Sequence, residues 1–104
     1  MPTYFVRHQH SPENCPARDP QMGQMLLRHL DRENATRLGL QIHGEAVLDG
    51  AHTMVLIVEA EDVRFLQDFM APFQQAGTVE LLPASTCEAV VERHGCEPAG
   101  VNPG

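Results

Sequence analysis

Apolar and polar positions fall into blocks that predict strand, helix, strand, strand, helix, strand and a short final helix. Tyr4, Phe5 and Val6 lead a strand over Thr3–His10, which Ser11-Pro12 closes. A loop follows from Ser11 to Pro20, with Cys15 inside it. Asp19-Pro20 is a helix start, because aspartate caps the first turn and proline fits it. Met22, Met25, Leu26, His29 and Leu30 recur at i, i+3, i+4, i+7 and i+8, the spacing of one buried helix face, and Gly39 is its expected C-terminal cap. Strands are predicted over Leu40–Leu48 and His52–Ala60, with Asp49-Gly50 as the tight turn between them. Met54 to Val58 is continuously apolar, as expected of a central strand covered on both faces. A second helix runs from Glu61 into the seventies, with Val63, Leu66, Phe69, Met70 and Phe73 facing inward and Pro72 ending or kinking it. Gly77 introduces a fourth strand, Thr78–Leu82. Ser85 and Thr86 cap a third helix ending near His94-Gly95, and 97–104 read as a loose tail.

This order is the split βαβ pattern. The expected fold is α+β, a ferredoxin-like βαββαβ domain over 1–96 with a four-stranded antiparallel sheet and a short C-terminal helix. Both helices on one face leave the other face open. Phe5, Ile42, Val55 and Ile57 are candidates for apolar positions on either face, and an exposed apolar sheet needs a cover. A homodimer with sheets packed face to face is therefore expected. In that order and in the opening Tyr4-Phe5-Val6-Arg7-His8, the stretch Thr3–Ala84 resembles the dimeric α+β barrel group of ferredoxin-like proteins. Within that group it resembles small bacterial metal-binding proteins, nickel binders among them, with a histidine on the first strand. The resemblance implies a barrel dimer and a metal role for His8.

Composition narrows the chemistry. The chain has 104 residues, with 14 acidic side chains against 7 basic ones and a formal charge of −7. Such a balance argues against nucleic-acid binding, which needs a basic patch. All the basic residues are arginine, so Schiff-base lysines and Walker-type phosphate loops are excluded. No apolar run approaches the ~20 residues of a membrane span. The opening residues lack the pattern of a signal peptide. Three cysteines are too few for a disulfide scaffold, and a reducing cytoplasm is the expected compartment. Six histidines remain the conspicuous feature.

The candidate metal ligands are His8, His10 and Cys15. Residues i and i+2 of a strand share a face, ~6–7 Å apart. Two imidazoles there can reach one ion, and the following loop can fold Cys15 back as a thiolate. That donor set suits zinc, copper or nickel. With strand order 4-1-3-2 and strands one and three taken as parallel, the end of strand one shares a rim with His43, Glu59 and Glu80. His43 is then a conditional ligand. The third helix can return Cys96 to the same rim as a fourth ligand, closing the site; a Cys15–Cys96 disulfide or free thiols are the alternatives. Cys87, at a helix start, reads as a lone thiol. His29 and His52 read as structural or solvated.

Three functions fit. The first is a soluble metal-binding protein, either a buffer or sensor or a small metalloenzyme. The second is a metal-free barrel enzyme of monooxygenase or isomerase type with His8 or His10 as general base. The third is a structural or regulatory dimer.

Overall fold

The computed structural model describes residues 1–97; the remainder of the expected tail lies outside the described residues. Strand β1 spans Thr3–His10, and two 3-10 turns, Pro12–Asn14 and Pro16–Arg18, follow it. Helices α1 (Pro20–His29) and α2 (Arg32–Arg37) lead to the hairpin of β2 (Leu40–Leu48) and β3 (Thr53–Ala60). Helix α3 (Val63–Ala76), strand β4 (Gly77–Ala84) and helix α4 (Cys87–Glu92) complete the chain. The sheet order is β2-β3-β1-β4, and every pair is antiparallel. This is the ferredoxin-like α+β arrangement expected from the sequence.

One expectation about strand direction is corrected. β1 and β3 are antiparallel, with Thr3 opposite Glu59 and Gln9 opposite Thr53. In a βαβ unit the two strands run alike, and the strand inserted between them opposes both. The end of β1 therefore meets the start of β3, not its end. The rim of His8 and His10 carries the hairpin loop and His52 rather than His43 and Glu59.

Local signals explain most boundaries. Asp19 caps α1 by accepting from the Gln21 N–H, Asp62 caps α3 by accepting from the Arg64 N–H, and Thr86 caps α4 by accepting from the Ala89 N–H. The single first helix expected from the sequence is broken. α1 ends at His29, and a second helix starts at Asp31, whose backbone carbonyl accepts from the Ala35 N–H while its side chain makes no cap. Gly39 then stops α2 with φ of 81°, and a Cβ there would stand 2.6 Å from the Phe65 ring. Pro72 lies inside α3 and does not end it.

The core lies on the helix side of the sheet. Val6, Leu56 and Val58 pack there with Leu66, Phe69 and Met70 of α3, and Ala35 of α2 closes one end. Among the described residues nothing covers the opposite face. Ile57 and Leu82 stand on either side of Phe5 in the register, and they are 50% and 43% exposed. Ile42, grouped with them in the sequence, is in the core.

Gly77 sets how closely β4 approaches β1. It pairs with His10, and a Cβ there would stand 1.9 Å from the Gln9 carbonyl oxygen. Gly77→Ala should force the two backbones apart and destabilise the protein by about 1–3 kcal/mol, the usual range for overpacking. Urea unfolding measures this, and an unchanged midpoint would contradict the close approach.

Candidate metal centre

The site is built from the C-terminal end of β1, the loop after it and the turn before β3. His8 points to the helix side of the sheet and is only 3% exposed. A buried imidazole is costly unless its nitrogens are paired. His8 Nδ1 lies 3.0 Å from the Thr78 carbonyl oxygen and Nε2 lies 3.2 Å from His10 Nδ1. Its ring meets Phe73 edge-on, with centroids 5.1 Å apart.

These contacts fix the proton positions. A carbonyl can only accept, so His8 Nδ1 carries the hydrogen. In the neutral ring, His8 Nε2 must then accept, and His10 Nδ1 donates to it. His10 Nε2 is left as a bare lone pair. That atom is fully buried and finds no hydrogen-bond partner among the described residues.

His10 also has other potential donors close to it. One donor atom from each of His10, Cys15 and His52 lies within 4.8 Å of the other two. Around a tetrahedral ion with bonds of ~2.0–2.3 Å, ligand atoms stand ~3.3–3.8 Å apart, so closure needs shifts of about 1 Å. His52 reaches the group from the hairpin turn, in a left-handed backbone with φ of 49°. Its ring is edge-on to His10 at 5.4 Å, and its carbonyl accepts the His10 N–H at 3.1 Å. The three residues share the wall of a cavity of about 230 Å³ with Met54 and Phe73.

The other sequence candidates separate from this group. His8 holds His10 in place, with both nitrogens engaged. His43 is the extra residue of a bulge between Ile42 and Gly44, and its Nε2 faces Glu59 at 3.1 Å. Cys96 lines a cavity with Pro2, Thr3 and Tyr4, at the opposite end of β1. α4 lies at that far end and does not return Cys96 to the rim. Cys15, Cys87 and Cys96 are all free thiols. His52 was missed by sequence reading because strand direction alone decides whether the start of β3 meets the end of β1.

Fold and rim together define an α+β protein of ferredoxin-like topology with two histidines and a cysteine gathered at one edge of its sheet. The chain belongs to the family described as Domain of unknown function (DUF3303), which matches residues 9–95. That stretch includes His10, Cys15 and His52. No curated protein and no solved structure matches the chain.

Burial holds the His8 imidazole below its ordinary value of 6.5, against an opposing pull from the Thr78 carbonyl. Burial, then the neighbouring His8 and His52, lower His10 as well. The folded state therefore favours both neutral forms. Their contribution to stability is complete above about pH 6.5 and is lost as pH falls below it, because the unfolded chain then takes up the protons. In chelator, the urea midpoint should fall between about pH 7 and about pH 5.5, above the range where carboxylates titrate. His8→Gln should flatten that slope, and an unchanged slope in the variant would remove His8 as its source.

Proposed function

We propose that this protein binds a transition-metal ion at the sheet rim through His10 Nε2, Cys15 Sγ and a ring nitrogen of His52. The observation that carries this reading is the buried, unpartnered Nε2 of His10, a residue that stands grouped with two further soft or borderline donors, Cys15 and His52. Native proteins rarely leave such an atom without a partner, and an ion is one way to supply it. His8 acts as the supporting residue. Metal-bound histidines commonly hold their second ring nitrogen against another group, and the His10 Nδ1–H on His8 is such a contact.

Two imidazoles and a thiolate select zinc, copper or nickel over magnesium and calcium. Three protein donors leave one coordination position open, which suits an exchangeable buffer or sensor site or a small metalloenzyme. Lowered histidine basicity supports binding near neutral pH, since ligands must be deprotonated. The chain's negative charge draws cations toward it.

Purified without a histidine tag, the protein should bind one zinc, copper or nickel ion per chain, as read by native mass spectrometry and competition with a chelating dye. His10→Ala and Cys15→Ser should abolish tight binding. His52→Asn should do so with the fold intact, because asparagine tolerates the left-handed backbone. His8→Phe should weaken binding by about 10–100-fold, the usual effect of losing an outer partner. His43→Ala and Cys96→Ser should bind as wild type. No bound metal and no thermal shift with any of the three ions would sink the proposal.

The same reading includes a homodimer through the open sheet face, favoured by the exposed Ile57 and Leu82 on either side of the half-buried Phe5. Sedimentation should give a dimer at micromolar concentration and a monomer for Ile57→Lys. A wild-type monomer would remove this partner.

A further inference from the structure

The space between α1 and α3 holds a second cavity, of about 270 Å³. Leu26 and Phe73 are among its walls, and the exposed Met22 and Met25 stand at its rim. It adjoins the metal-site cavity, and the two share His8, Pro16, Leu26 and Phe73. No arginine lines it, so its wall holds no permanent positive charge for an anion. An apolar cavity of ~150 Å³ accommodates benzene, so this one has room for one or two rings.

Its polar groups are few. His29 Nε2 lies 2.8 Å from the Phe69 carbonyl oxygen and must donate to it. Stacking on the Phe69 ring at 4.1 Å holds the imidazole in that orientation. Neutral His29 is left with Nδ1 as an acceptor. Asn14 donates one amide hydrogen to the Ala76 carbonyl at 3.3 Å, which leaves its oxygen and a second N–H. His8 has no nitrogen to spare. A hydroxyl suits His29, because it can donate to Nδ1; Asn14, anchored about 10 Å further along α3 on Ala76, adds a second polar point at the other end of the cavity. A carboxylate has no hydrogen for His29 and would be buried without a counter-charge.

We infer that the α1–α3 cavity binds a small uncharged hydroxylated hydrocarbon, of the size and polarity of a phenol or naphthol, against His29 and Asn14 and next to the proposed metal centre. The position beside the centre rests on the metal reading; the binding itself does not, because His10, Cys15 and His52 are absent from this cavity's walls.

The probe is 2-naphthol, compared with naphthalene and 2-naphthoate at about pH 7.5, in chelator. The protein has no tryptophan, so ligand fluorescence reports binding directly. One saturable site is expected, about tenfold tighter for 2-naphthol than for either analogue, the factor that ~1.4 kcal/mol of hydrogen bonding confers. Methyl NMR should show Met22 and Met25 shifting with the same saturation while Met1 and Met70 stay still. His29→Leu should reduce 2-naphthol to the affinity of naphthalene. Ala76→Phe should block both, with circular dichroism confirming the fold. Should either variant fail to fold, the analogue ranking and the methyl shifts on wild type decide alone. No saturable binding, equal affinity for all three probes, or shifts confined to other methionines would overturn the inference. Binding that persists in His10→Ala keeps the cavity even if the metal site fails. Metal binding without 2-naphthol binding removes the cavity alone.

Discussion

The rim depends on how one buried imidazole is satisfied. His8 sits in the apolar side of the sheet, across from Met54 and against Phe73. Thr78 supplies a carbonyl, which cannot give a proton, and that asymmetry passes down the chain of rings. His8 Nδ1 must donate, His8 Nε2 must accept, His10 Nδ1 must donate, and His10 Nε2 is bare. The Thr78 carbonyl is where it is because β4 pairs with β1, and that pairing is as close as it is because Gly77 has no Cβ to meet the Gln9 carbonyl. The chemical state of His10 is thus set by sheet register rather than by the loop that carries Cys15.

The parts of this arrangement that the sequence made legible are those with local causes. The bounds of β1 and β2 follow from short apolar runs closed by proline and by Asp49-Gly50. Asp19 and Thr86 mark helix starts because capping is decided within three residues. His8 and His10 could be paired by strand alternation, and Cys15 could be joined to them because a short loop folds it back toward the strand end. The break at Asp31 escaped, since the apolar spacing through Leu30 continues past the end of α1. His52 escaped for a different reason. Its nearness to His10 follows from β3 running against both β1 and β2, a direction that the Asp49-Gly50 hairpin and the βαβ rule together imply and that taking strands one and three as parallel reversed. Met54 to Val58 misled too, because an uninterrupted apolar run does not say whether its second face is covered by the chain or by something else.

Pro72 shows how a local rule and a tertiary contact combine. A proline inside a helix removes the N–H that would reach the carbonyl four residues back, here Asp68. The helix nevertheless continues to Ala76. In the same turn the Phe69 carbonyl accepts from His29, so α1 is joined to α3 by a hydrogen bond as well as by ring stacking. That contact brings Met25 and Leu26 of α1 opposite Pro72 and Phe73, and it forms the apolar cavity beside His8. The same contact fixes which nitrogen of His29 is free.

His52 adds a conformational constraint to these electronic ones. The left-handed region costs a non-glycine residue on the order of 1 kcal/mol or more, and glycine or asparagine would meet the turn's needs more easily. The hairpin already uses Gly50 in that region, with φ of 74°. Histidine persists at the second position while its carbonyl closes the β1–β3 ladder on the His10 N–H and its ring lies against that of His10. Observed strain of this kind is sustained by the surrounding structure and gathers at functional sites. Here it falls on the residue whose carbonyl holds the His10 backbone N–H and whose ring lies edge-on to the His10 ring. Backbone strain at His52 and the unpaired lone pair of His10 are separate costs with different physical origins. An ion held between the two rings and the Cys15 thiolate would give both a single explanation.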